Sequence, residues 1–330
     1  FKPPTAYQAA YQQPTGSRFG GDALFNGENR GRGAILSYYV KIDKKKEADT
    51  KKEDKKKTDS KSNDKTLKKV QGDSTNVVKW DSLTMKIYDV DRLIRTLKRK
   101  APKESGINKW TWFMDEKGGD RPSRHIRKQT REPGGVSVKP GTYKVVISFG
   151  DQTSEEMITV KSDPRLNVSS KAIDESYNAS KEIQGIRQTA ADAVKQLVES
   201  KTIATDYSKS LAKLDKKKYK DQIKSSKEII KKLDKILAIY LGKEDKRQGI
   251  TSDPVINVNQ RIGNASFYSG TRPNGLTTTE LTLIKHAKEA LKEALDKTNT
   301  FYNEEWKPYQ TAMEKIDTSP FKEVKSFRLD

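Results

Sequence analysis

The chain has 330 residues, with 66 Lys and Arg against 45 Asp and Glu, a formal net charge of +21, no cysteine, and 32% hydrophobic beside 34% charged residues. That apolar share is lean for one large core, so several modest units are predicted, and the lack of thiols excludes disulfide scaffolds, Cys-based zinc sites and thiol catalysis. The positive charge attracts polyanions over roughly one Debye length, about 8 Å at physiological salt.

Residues 1–33, "FKPPTAYQAAYQQPTGSRFGGDALFNGENRGRG", are rich in Gly, Pro, Gln and Asn without either periodicity and read as an extended connector. The sequence opens at Phe1 with no secretory leader and shows no run of about 18 apolar residues, so it reads as a non-spanning piece of a longer protein. "AILSYYVKI" from Ala34 has the β-branched and aromatic content of a strand. Residues 44–69 are almost wholly Lys, Asp, Glu, Ser and Thr and read as a disordered, Lys-rich insertion between strands, with a polyanion-binding arm as the alternative. Leu83, Met85 and Ile87, the turn "YDVD", and Leu93, Ile94 and Leu97 follow hairpin grammar. "GINKWTWFMD" reads as a Trp-rich strand, and "VKPGTYKVVISFGDQTSEEMITV" as two strands joined at Gly150 and Asp151. Strands at this spacing predict a sandwich over 34–164.

Beyond "DPR" (Asp163 to Arg165) the apolar period becomes helical. One helix is predicted over 171–200 and a second from about Asp206 to Leu241, stopped by Gly242. Residues 243–277 read as a long crossing loop with at most one helical turn at 256–261. A third helix starts after the capping-box pattern Thr277 to Glu280, with Pro308 as a kink or end. The fold class is therefore α+β multidomain: an immunoglobulin-like antiparallel β-sandwich followed by an antiparallel three-helix bundle over 165–330.

The order "FKPP", "GAILSYYV", "MKIYDVDRLIRTL", "GINKWTWFMD", "VKPGTYKVVISFGDQTSEEMITVKSDPR" and "GTRPNGL" resembles the C-terminal region of large bacterial sortilin-like, BNR-repeat β-propeller proteins, often named glycosyl hydrolases. The sandwich is similar to the immunoglobulin-like domain of the flagellar hook-capping family. The resemblance covers nearly the whole chain, through structural motifs. It implies an upstream propeller left through "FKPP", export in bacteria of the Bacteroidetes type to the periplasm, cell surface or beyond, and a hydrolase label that belongs to the propeller. The lysine-rich insertion departs from the family pattern.

Among candidate sites, Asp115 with Glu116 and Glu155 with Glu156 are the adjacent carboxylates to weigh against the two-carboxylate requirement of glycoside hydrolysis; adjacent strand residues point to opposite faces, so surface roles are favoured. His125 and His286 stand far apart, without metal-ligand spacing, and no nucleophile elbow or phosphate-cradling Gly motif occurs. No catalytic, cofactor or metal residue is therefore assigned. Trp110, Trp112 and Phe113 either fill the core, with Trp112 inward, or offer Trp110 and Phe113 to a glycan or neighbouring domain. Arg124, Arg127 and Arg131 form a basic loop that is either solvated or ligand-facing, and Arg272 in "GTRPNGL" is placed to dock the long loop of 243–277 against the bundle or the propeller, with a ligand-facing role as the alternative. Tyr7, Tyr11, Phe19 and Phe25 are the connector's candidate anchors for an upstream propeller of the same polypeptide.

Three functions stay open on the sequence. The first is a non-catalytic accessory module that packs against and stabilises the propeller or mediates protein interaction. The second is part of a glycosyl hydrolase whose site lies mainly on the propeller. The third is binding of polyanions, cell-envelope proteins or glycans through the basic surface, without specific nucleic-acid recognition.

Overall fold

A computed structural model describes residues 1–9, 31–42, 82–126, 129–244, 255–271 and 274–316. Tyr11, Phe19, Phe25, Arg127, Arg272 and the insertion at 44–69 lie outside them. The chain is mixed α+β and divides into two compact units, one of residues 1–117 and 137–167, the other of residues 118–136 and 168–330.

Among the described residues the first unit holds nine strands in chain order: β1 (Ala6–Gln8), β2 (Ala34–Val40), β3 (Ser82–Asp89), β4 (Arg92–Lys100), β5 (Gly106–Trp112), β6 (Asp115–Lys117), β7 (Gly134–Ser137, which straddles the division), β8 (Gly141–Phe149) and β9 (Gln152–Ser162). Five form one sheet in the order β1-β9-β8-β3-β4, parallel only between β1 and β9, while β2 pairs antiparallel with β5. Residues 6–8 thus belong to the sheet, although 1–33 read as connector; three residues are too short for alternation to reveal, yet Ala6 is buried opposite Val160.

Strict alternation sets the core. Ala34, Leu36, Tyr38 and Val40 face inward from β2, as do Leu83, Met85 and Ile87 from β3. Side chains of both sheets enter one apolar cluster, where Ala34, Leu36 and Trp112 meet Met85, Ile87 and Val145. Trp112 is fully buried, packs edge-on against Tyr143 at 5.4 Å and donates Nε1–H to the Asp115 carbonyl at 2.9 Å. Gly33 precedes β2 at φ +97, where an added Cβ would stand 2.6 Å from the Trp112 carbonyl oxygen, so glycine is required for β2 to lie beside β5. At the β3–β4 turn, exposed Val90 adopts φ +54, an unfavourable conformation for a β-branched residue.

The second unit is helical. Its first helix, α1 (Ser170–Asp215), starts at Ser169, whose Oγ accepts from the Ala172 N–H, and runs 46 residues, about 70 Å at helical rise. No break occurs near 200–206, because Leu197, Ala204 and Leu211 keep one buried stripe and the intervening polar residues are satisfied within the unit: Ser200 bonds Tyr302, and Thr202 and Thr205 donate back to the carbonyls of Val198 and Lys201. The chain turns instead at residues 216–219, where Asp215 accepts from the Lys217 and Lys218 amides, and then enters α2 (Lys220–Leu241).

Residues 243–277 contain a helix rather than only a crossing loop. This helix, α3 (Val258–Gly270), has a reciprocal capping box between Asn257 and Gln260 and buries Val258, Ile262 and Ala265. Gly275, at φ +95, brings the following turn against Ala172 and Glu175 of α1. Next comes α4 (Thr278–Phe301), where the Glu280 carboxylate accepts from the Thr277 amide at 2.8 Å and from its hydroxyl, as the capping pattern predicts. A π-helical turn (Tyr302–Trp306) leads into α5 (Lys307–Glu314), so Pro308 neither ends nor breaks the helical path; it falls in a first turn, where a missing N–H is tolerated. Among the described residues, four helices and a short fifth thus replace the expected three. Among the described residues no helix is long and apolar enough to cross a membrane.

Candidate functional site

The carboxylates considered for hydrolysis are held in two different ways. Glu116 is buried on β6 and receives both terminal nitrogens of Arg92, at 2.9 and 3.3 Å, while the same guanidinium reaches Asp89 at 2.9 Å. Asp115 faces buried Arg95 at 3.5 Å. This ion-pair set couples β4 to β6. Glu155 and Glu156 are exposed neighbours on β9, opposite Val146 and Val145. His125 and His286 are exposed, and no group of three metal-ligating side chains occurs among the described residues.

The aromatic candidates separate. Trp112 is core, as its alternation predicts. Trp110 is half-buried, with Tyr38 tilted against it at 6.4 Å and the Arg99 guanidinium 5.4 Å over its ring. Arg99 is fixed there by donating Nη1–H to the Lys109 carbonyl at 2.9 Å. A stacked guanidinium and a packed tyrosine already use the Trp110 ring, which leaves Phe113, 68% exposed, as the free aromatic of the trio. Tyr7 is half-buried in β1.

Beside these residues runs a groove of about 150 Å³ lined by Leu36 and Tyr38 of β2, by Ile147 and Phe149 of β8, and by Gln152 and Glu156 of β9. Among the described residues β2 pairs with β5 alone, and residues of β2 line one side of this groove. Among the described residues the Tyr38 hydroxyl is buried without a hydrogen-bond partner; burial pushes its phenol upward, and Arg99 opposes that shift. The outward face of the pair carries Tyr39 and Ile107, which are direct register partners, 60% and 68% exposed.

The basic loop belongs to the helical unit. Arg124 donates Nη2–H to the carbonyl of Gly242 at the end of α2, where a cation meets the negative end of the helix dipole. Arg131 is exposed. The sequence reading of this loop passes over Arg121, which the fold places beside Arg187 of α1. It also passes over Tyr39 and Ile107, although their outward positions follow from the strand alternation that buries Tyr38.

No protein-family model matches the chain, and searches of the curated proteins and of the solved structures likewise find no match.

Proposed function

We propose that this chain is a non-catalytic accessory module of an exported, sortilin-like β-propeller protein, and that it works by packing apolar surface against the propeller of the same polypeptide. In this reading the first unit is an immunoglobulin-like sandwich and the second a helical bundle that extends the expected three-helix plan. The two sheets' shared apolar cluster supports the sandwich assignment, and the order of sequence motifs supports the family.

The observation that carries the function is the Tyr39–Ile107 pair, two large apolar side chains directly opposite each other on an outward sheet face, with Phe113 exposed just beyond the end of β5. Cross-strand pairs of this kind normally pack against something, and apolar clusters on a surface mark interaction sites more often than scattered single residues do. The arginine-bound state of Asp115 and Glu116 supports the non-catalytic half of the reading.

The test is calorimetric titration of the purified chain with the separately purified propeller. Saturable binding is expected, with the double substitution Tyr39→Ser and Ile107→Ser weakening it by about tenfold or more, as loss of an anchor worth about 2 kcal/mol does. Absence of binding by the unaltered chain, or binding indifferent to both substitutions, would contradict the proposal.

A further inference from the structure

In the helical unit, residues 118–121 lie flush on α1. The Gly118 amide donates to the Pro133 carbonyl at 2.9 Å, and the Asp120 amide donates to Gln188 Oε1 at 2.8 Å. A Cβ on Gly118 would stand 2.2 Å from the Gly134 carbonyl oxygen, and one on Gly119 would stand 2.8 Å from Gln188 Oε1, so two consecutive glycines permit the close approach. Gln188 is itself oriented by donating Nε2–H to Asp192 at 2.8 Å. The loop is therefore fastened at the residue before Arg121, onto the residue after Arg187.

Two guanidiniums are thereby placed within electrostatic reach of each other, one of them half-buried. Among the described residues neither makes a hydrogen bond or an ion pair. The nearby acids are engaged elsewhere: Asp120 accepts from Gln129, and Asp192 accepts from Gln188. Burial, and then the charge of Arg121, pull the Arg187 pKa downward, the signature of a cation that its surroundings do not compensate. Arg187 is only half-buried and none of its nitrogens is among the buried atoms without a partner, so its donors stay open to an anion arriving from solvent. The pairing costs stability unless an anion completes it, and the planar fork of arginine matches the oxygens of a tetrahedral oxyanion.

We infer that Arg121 and Arg187 form a binding site for a phosphate or sulfate group, held between the loop at 118–121 and α1. The group is either a free ion or one carried on an anionic polymer. The site stands independently of the propeller-docking proposal, because it uses residues of the helical unit alone.

Thermal unfolding and calorimetry of the full chain test it, with inorganic phosphate compared against chloride at equal ionic strength and polyphosphate as a second arm. Phosphate is expected to raise the unfolding temperature saturably in the unaltered protein. Arg187→Gln and, separately, the exposed-site change Arg121→Gln should each weaken binding at least tenfold. Lys195→Gln, which removes the same charge from an exposed position on α1, should not weaken it. In chloride alone Arg187→Gln should unfold at the same or a higher temperature, because the like-charge contact is gone. Equal affinity per phosphate group in both arms identifies the free ion as sufficient, whereas tighter polyphosphate binding that both arginine variants lose identifies a polymer-borne group. A phosphate effect that is absent in the unaltered protein, that survives in both arginine variants, or that falls equally in Lys195→Gln would overturn the site in favour of a diffuse basic surface or of no binding.

Discussion

In the sheet unit, Trp112 and Tyr143 give their polar hydrogens to backbone carbonyls only a few residues away, those of Asp115 and Lys139. In the helical unit, three tyrosine hydroxyls instead reach side chains on distant segments: Tyr302 meets Ser200, Tyr309 meets Ser226, and Tyr240 meets Thr298, each at 2.9 Å. The difference follows from how each architecture fixes alignment. A strand pair is locked by its ladder, since a slip of one residue would turn every apolar side chain outward. Apolar helix stripes have no such ladder between them, and ridges can settle into grooves a turn away. These three hydroxyl pairs supply the missing specification, joining α1 to the π-helical turn, α2 to α5, and α2 to α4.

This contrast can be broken most forcefully at the sheet core. Trp112→Ala removes the largest fully buried side chain and is expected to cost about 3–5 kcal/mol, read as a fall in the urea midpoint by circular dichroism. In the helical unit, replacing Tyr240, Tyr302 and Tyr309 together by Phe should cost about 3 kcal/mol, roughly 1 kcal/mol per lost hydrogen bond. A triple variant as stable as the parent would show that the apolar stripes suffice. Burial holds all three phenols above their usual range, so the folded unit keeps protons that the unfolded chain releases near pH 10. Stability should therefore fall as pH rises past about 10, and this alkaline loss should shrink in the triple variant.

Smaller effects are expected at two surface positions of the sheet unit. Val90→Asn at the β3–β4 turn replaces a β-branched residue at φ +54 with one that tolerates this region, and should raise stability by about 1 kcal/mol in the same urea titration. Asp163 accepts from the Arg165 guanidinium and then from the Arg165 amide, which lowers its pKa to about 2. Because the folded value lies below the ordinary one, its contribution is present above about pH 4 and is lost as pH falls toward about 2. Carboxyl NMR titration should find that low value in the parent and a rise toward the ordinary range in Arg165→Ala.

The two units were also unequally legible in the sequence. Alternation in "AILSYYV" and in Leu83, Met85 and Ile87 identifies the inward faces of β2 and β3, and the Thr277–Glu280 spacing marks the start of α4. The length of α1 was hidden because Ser200, Thr202 and Thr205 look like a break, while their hydroxyls are satisfied within the fold. Helix α3 was hidden by its glycines and asparagines, with Asn257 acting as a cap rather than a loop residue. Strand β1 is too short for any period to show. The Arg121–Arg187 pair depends on contacts between segments far apart in sequence, and no spacing rule brings those segments together.

Amide hydrogen exchange on the chain with and without the propeller tests whether the outer face of the β2–β5 pair is the docking surface. Added protection is expected to concentrate in Ala34–Val40 and Gly106–Trp112, with the helices unchanged. Protection confined to the helical unit, or no protection anywhere at saturating propeller, would contradict it.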